Sequence, residues 1–330
     1  MDNKGDLVEA GYATSLVKKY DRKAIKAPKS RIKEWDYYFI SDQRFGLALT
    51  IADNSYMAMA SVSILNFKHN TQTTKSPMKW FTNGQTNLPS TSETGDVSLT
   101  GKGYSLVFKN NNGKRHLICH MDKFRDNDAF DCDILLEPTT PHSMVIATPF
   151  KKKKHFYYNQ KINLLRASGS FCVGQGSYVF KPNALGVLDW GRGVWTYRNT
   201  WYWSSFNAEY DGHKIGFNLG YGFGDTSAAS ENMLFYDNEV FKLDDVTFNI
   251  PLNAKGKEDY MSPWTFTSKK GDINLTFVPV LDRASDTNVL IIRSNQHQVF
   301  GKFSGTFKVD GREIHIENLL GFAEKVYNKW

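Results

Sequence analysis

Three dipeptides constrain this chain more than anything else in it: Asn112-Gly113, Asp211-Gly212 and Asp310-Gly311. The first separates Ser105–Phe108 from His116–Cys119, the second Ser205–Ala208 from Lys214–Phe217, and the third Phe303–Val309 from Glu313–Ile316. A two-residue hairpin loop needs positive φ at both central residues, and Asn, Asp and Gly reach that region most readily. Three such loops predict an antiparallel, all-β architecture. Side-chain alternation agrees. Ile273, Leu275 and Phe277 point one way and Asp272, Asn274 and Thr276 the other, while Phe303, Phe307 and Val309 share a face with Gly305 between them. Period two describes a sheet with one face in a core or cavity. An aromatic content of 14% suits sheets and apolar cavities more than helix bundles. Helical periodicity is scarce, and only residues 7–27 read as a short basic helix.

At 330 residues the chain is long enough for two cores. A faint internal echo divides it. Trp35–Phe39, a polar turn and Phe45–Leu49 match Trp203–Phe206, the Asp211-Gly212 turn and Ile215–Leu219. Each copy is Trp, strand, turn, then a strand bearing Gly. The expected organisation is a basic segment at 1–30, a β-domain at 31–182 and a second at 183–330, near the common domain size. Pro149 and the lysines after it offer an alternative break.

The densest chemistry lies in Asp189–Trp203, fifteen residues holding four Trp, two Tyr, two Arg and an Asp. Aromatic faces bury large areas of core or ligand, and Arg and Asp supply charge-assisted hydrogen bonds beside them. The stretch reads either as a Trp-rich strand pair filling a core or as the wall of a pocket. Gly220-x-Gly-x-Gly224 lacks the spacing and the strand-to-helix context of a nucleotide loop, and reads as a strand end where the backbone bends or approaches something closely. Asp225, Glu231 and Asn232 follow it and either face a cavity or cap turns. His297, flanked by Gln296 and Gln298, titrates near neutral pH and is a candidate acid or base, with Glu324 as a carboxylate partner. His116 and His120 have the spacing of a zinc helix but lie in a strand pattern, so no metal is expected. Asp131, Asp133 and Glu137 do not form a calcium loop. No G-x-S-x-G elbow occurs.

The net charge of +7 is uneven. Lys18, Lys19, Arg22, Lys23, Lys26, Lys29, Arg31 and Lys33 stand against Asp21 alone, and Lys151–Lys154 form a second run. Such segments are solvated flanks or contacts for anionic headgroups and phosphates. Nucleic-acid motifs are missing, and nucleic acid is not an expected partner. No apolar run is long enough to span a membrane and no secretory leader is visible. Cys119, Cys132 and Cys172 are too few and too scattered for a disulfide framework, so the cytoplasm is the simplest compartment.

The order D-W-G-R-G-V-W-x-Y (189–197), W-Y-W (201–203), I-G-F-N-L-G-Y-G-F-G-D (215–225), E-N (231–232) and H-Q-V-F-G (297–301) resembles a bacterial family of unknown function. Glu34–Tyr38, Ala52–Tyr56 and Glu324–Trp330 fit it too. That family is similar, more distantly, to two-domain lipocalin-like proteins: carotenoid hydratase, tocopherol cyclase and some fungal Diels–Alder cyclases. The resemblance implies two lipocalin-like, calycin-type β-barrels packed side by side, an apolar cavity in or between them, and chemistry without a cofactor. Two functions follow. One is a cofactor-independent hydratase or cyclase for an apolar unsaturated substrate, in which an acid protonates an alkene and Trp faces stabilise the cation. Asp189 and His297 are its candidate catalytic residues. Trp190, Arg192, Trp195, Tyr197, Arg198, Trp201, Trp203, Asn218, Asp225, Glu231, Asn232 and Gln298 are candidate ligand contacts. The other is a non-catalytic carrier of a lipid or fatty acyl chain, with an Arg on its carboxylate. In either case the basic N-terminal segment, where it is not simply a solvated flank, would help the protein visit a membrane surface.

Overall fold

The structure, a computed structural model, describes residues 1–289 and 292–329. The three sequence turns are two-residue hairpin loops. They join Tyr104–Asn111 to Lys114–Arg125, Arg198–Tyr210 to His213–Tyr221, and Ile292–Val309 to Arg312–Lys329. Both residues of each loop have positive φ, between 47° and 81°. Alternation becomes burial: Ile273, Leu275 and Phe277 are at most 1% exposed, while Asn274 and Thr276 face water. Among the described residues, helix is limited to two single turns, Arg22–Ala24 and Lys29–Arg31.

Among the described residues, the strands form two antiparallel sheets. The larger has fourteen strands. Its main path runs Thr71–Lys75, Met57–Asn66, Phe45–Asp53, Ile32–Ser41, Leu185–Val194, Phe156–Val173, Asp128–Pro138, Lys114–Arg125, Tyr104–Asn111, Val97–Gly101. It curls until Val97–Gly101 lies against Phe45–Asp53 and Met57–Asn66. Leu47, Leu49, Leu106, Leu117, Ile134 and Phe171 fill its interior. The second sheet has nine strands, ordered Glu239–Lys242, Met233–Tyr236, His213–Tyr221, Arg198–Tyr210, Arg312–Lys329, Ile292–Val309, Ile273–Val289, Trp264–Ser268, Val246–Asn249. Phe217, Leu234, Phe266, Phe303 and Phe307 form its core. These are two lipocalin-like sheets side by side.

Two placements differ from the sequence expectation. Leu185–Val194, which follows residue 182, is hydrogen-bonded inside the first sheet between Ile32–Ser41 and Phe156–Val173. The change of sheet falls at 195–197. No helix forms over 7–27 beyond the turn at Arg22–Ala24. Instead Gly11–Ala13 pairs with Met144–Pro149, and the Tyr158 hydroxyl both accepts from the Lys18 N–H and donates to its carbonyl. Tertiary hydrogen bonds to the sheet outweigh a weak local propensity here.

The sheets meet along a seam built partly from a β-bulge. Register in Phe156–Val173 shifts between Ile162 and Leu165. Leu164 there has φ 57°, and its N–H donates to Asn207 Oδ1 at 2.7 Å. Asn163 Nδ2 donates to Ser205 Oγ and the Phe217 carbonyl at 3.0 and 3.1 Å. Bulges re-aim side chains, and this one turns two residues of the first sheet onto the second. Aromatic pairs continue the seam, with Tyr37 on Trp203 (5.8 Å between ring centres) and Phe39 on Phe300 (5.1 Å).

Candidate functional site

Alternation cuts the Asp189–Trp195 motif in two. Trp190, Arg192 and Val194 turn into the first sheet's interior. Arg192 is fully buried; it donates to Asp36, to the Pro89, Trp35 and Gly191 carbonyls, and stacks over Trp190 at 4.4 Å. Its donors are therefore consumed within the protein, and it braces the barrel rather than awaiting a ligand carboxylate. Asp189 and Gly191 face the seam. The Trp35 ring lies so close over Gly191 that a Cβ there would meet it at 2.0 Å, which is the close approach that only glycine permits.

At the seam, both sheets contribute ionisable groups. Lys161, opposite Asp189 in register, places Nζ 2.9 Å from Asp189 Oδ1 and 3.8 Å above the Trp203 ring. Asn159 Nδ2 donates to the same Asp189 oxygen at 2.6 Å. From the second sheet, the Trp203 indole N–H donates to Asn218 Oδ1 at 2.6 Å, and Asn218 Nδ2 donates to the Glu231 carbonyl at 2.8 Å. Gly220 makes room for the Glu231 carboxyl, whose Oε1 would lie 2.5 Å from a Cβ. Glu324 accepts from Trp201 Nε1 at 2.8 Å on one oxygen and from Gln298 Nε2 at 2.9 Å on the other. Tyr37 donates to Gln298 Oε1 at 3.4 Å.

The electrostatics follow from crowding charge into an apolar seam. Burial pushes the Glu324 carboxyl up to about 7, against the opposing pull of the Trp201 N–H, Lys161 and Arg283. Glu231 is raised as well, by removal from water first and by Asp189, with Lys161 opposing. The Tyr157 hydroxyl is raised well above its usual range by burial and then by Glu231, Asp189 and Glu324. These groups lie within one another's fields, with Lys161 as the shared cation. Trp35, Trp201 and Glu231 keep partial exposure, and Asp189, Tyr157, Trp195 and Glu324 keep 6–8%. This residual exposure is shared between side chains of both sheets.

Of the residues singled out in the sequence, the seam thus gathers Asp189, Trp195, Trp201, Trp203, Asn218, Glu231, Gln298 and Glu324. The rest lie elsewhere. His297 sits on the opposite face of its strand from Gln298; it stacks on Tyr260 at 3.8 Å, bonds Asp282 at 2.7 Å and pairs in register with Lys325, not Glu324. Asp225 is exposed and accepts from the Ser227 N–H, a turn-capping role. Asn232 accepts from the Gly220 N–H and donates to the Asp244 carbonyl, holding the loop behind Glu231. Tyr197 lies under Arg31 and Lys329, and Arg198 is exposed. Sequence reasoning missed Lys161, Tyr157, Trp35, Tyr37 and Asn159. A lysine inside the long run Phe156–Leu165 was the available signal, because an unpaired buried cation is costly.

An all-β chain of two lipocalin-like sheets, with a charged cluster buried at their junction, is the class this structure defines. The chain belongs to the family described as "Domain of unknown function (DUF2804)", whose model matches residues 1–330. No curated protein sequence matches it. Among solved structures it is similar to a Nitrosomonas europaea protein provisionally named AttH, at 12% identity and TM-score 0.54, covering 95% of this chain and 98% of that one. It is also similar to kievitone hydratase from Nectria haematococca, at 14% identity and TM-score 0.53, covering 96% of this chain and 95% of that one. At such identities the likeness is one of fold.

Proposed function

We propose that this protein is a cofactor-independent hydratase acting on an apolar, unsaturated small molecule held at the seam between the sheets, with Glu324 as its proton carrier. The observation that carries the reading is Glu324 itself: a carboxyl shared between Trp201 and Gln298 and pushed up to about 7, so that acid and base forms coexist at neutral pH. The similarity of fold to a hydratase agrees with it. In the proposed step the Glu324 carboxyl gives its proton to one carbon of a C=C bond, and the π electrons form the new C–H bond. The neighbouring carbon becomes cationic, next to the ring of Trp201, whose indole N–H holds Glu324. Water adds there and returns a proton to the Glu324 carboxylate, so the net change is addition of one water and the catalyst is restored. The Lys161–Asp189 pair fixes the field in which that charge develops.

The test is to incubate the purified protein with a panel of unsaturated isoprenoids, fatty acids and polyketide-like phenols and to follow the gain of one water by mass spectrometry, repeating it in D2O. Turnover with one deuterium on carbon, abolished in Glu324→Gln, supports the reading. Extraction of an unaltered acyl chain from the protein, with no conversion of any panel member, favours the lipid carrier and overturns it.

A further inference from the structure

The strand Met78–Trp80 runs along the outer edge of the first sheet against Met57–Met59 and ends in a finger whose large apolar side chains are exposed. Met78 is 47% exposed, Trp80 61% and Phe81 77%. An apolar tip of this kind normally lies inside a protein or against something else. The finger is not slack. Phe81 has φ 59°, a conformation that a bulky residue rarely adopts, and its N–H donates to the Tyr56 carbonyl at 2.6 Å. The Asn83 N–H donates to the Ser55 carbonyl at 2.7 Å. Just beyond, a Cβ on Gly84 would collide with the Arg22 guanidinium, so the loop lies flat on Arg22. Arg22 in turn is fixed by Glu34 at 2.5 Å and Ser55 Oγ at 3.0 Å. Backbone strain is thus held in place by an ion pair, and its effect is to present the Phe81 ring to water.

The charges around the finger are mostly positive, with the exposed Asp21 beside Arg22 and Asp6 at the Lys154 N–H as the acids among them. Between Thr71 and Ser92 the charged residues are Lys75 and Lys79. The segment clamped beneath it carries Lys23, Lys26 and Lys29, all exposed. Lys26 and Lys154 flank Gly5, which brings the second lysine run to the same end of the molecule. Antiparallel register explains the gathering: Ile32, Val194 and Phe156 are paired neighbours, so the segments preceding residues 32 and 156 leave the sheet side by side. The two basic runs of the sequence are thereby one cationic end with an aromatic finger beside it.

We infer that this end of the molecule docks on an anionic lipid surface, with Met78, Trp80 and Phe81 entering the headgroup region and the lysines holding lipid phosphates. Trp and Phe partition into the membrane interface, and each lysine near an anionic surface adds attraction. An excess of lysine over acid at this end, around a finger that itself carries no acid, matches a phosphate-bearing surface. The inference stands apart from the catalytic reading, because vesicle binding is measured without turnover.

The experiment is co-sedimentation of the full chain with vesicles of phosphatidylcholine alone and of phosphatidylcholine mixed with phosphatidylglycerol, at low and high salt. Binding to the mixed vesicles, lost at high salt, is the expected result. Trp80→Ser combined with Phe81→Asn, the latter chosen because Asn tolerates positive φ, weakens it by at least about tenfold. Lys79→Glu weakens it by about fivefold or more. These positions are exposed, and an unchanged melting temperature checks that the variants fold. No binding to mixed vesicles, or binding that the variants leave intact, overturns the proposal. Self-association lost in the same variants overturns it in favour of a second copy of this chain.

Discussion

Replacing Glu324 by Gln should stabilise the protein above neutral pH while removing the proposed hydration. An ordinary Glu carboxyl titrates near 4.5, and this one near 7 when folded. Between those values the unfolded chain has released a proton that the fold still holds, so stability falls as pH rises through the interval and is level above it. The gap of about 2.5 in pH, at about 1.36 kcal/mol for each step of one, amounts to about 3 kcal/mol. Gln carries no charge and escapes this penalty. It retains an acceptor for the Trp201 N–H, but its amide then faces the Gln298 amide, a mismatch of about 1 kcal/mol. The variant should therefore be about 1 kcal/mol less stable than the parent at pH 4.5 and about 2 kcal/mol more stable at pH 8. Urea unfolding of both proteins at a series of pH values checks this. The difference between them cancels the titration of every other group to first order. A difference that does not change with pH, or that reverses its sense, would refute the claim that burial has raised this carboxyl.

Three further outcomes follow from the seam. Lys161→Met leaves Asp189 buried without its cation and should cost about 3–5 kcal/mol, while Lys161→Met with Asp189→Leu recovers most of that; thermal melting of the set decides it. Gly191→Ala forces a methyl into the Trp35 ring and should cost about 1–3 kcal/mol and shift the tryptophan fluorescence, since Trp35 stacks on Tyr157 and meets Trp195 edge to face. His297→Ala should leave turnover of any substrate found unchanged, because the imidazole faces Tyr260 and Asp282; a large loss of kcat would place it back in the site.

The architecture was legible because hairpin loops are local: Asn112-Gly113, Asp211-Gly212 and Asp310-Gly311 carry their φ requirement in two residues. The Gly220–Gly224 stretch was legible for the same reason, although what approaches Gly220 is Glu231, eleven positions on. Parity was harder. Asp189 and Arg192 look like partners in a motif, yet an odd separation in a strand sends them to opposite faces, one to the seam and one to the barrel interior. The same rule separates His297 from Gln298 and so from Glu324. The Lys161–Asp189 pair was not legible at all, since strands 28 residues apart in number become neighbours only through the sheet order.

The choice between enzyme and carrier turns on what such a seam costs. A carrier for an acyl chain gains from apolar walls and at most one cation at the mouth. Here Lys161, Asp189, Glu231 and Glu324 crowd into one seam, and holding the Glu324 carboxylate there costs about 3 kcal/mol at pH 8. That is a sizeable fraction of the 5–15 kcal/mol typical of a folded protein. Replacing the four by apolar residues would make a better container and a more stable one. Destabilising charge retained where a carrier has no use for it supports the proposed proton transfer, and on that proposal the pH-dependent gain of Glu324→Gln and the loss of turnover should appear in the same variant.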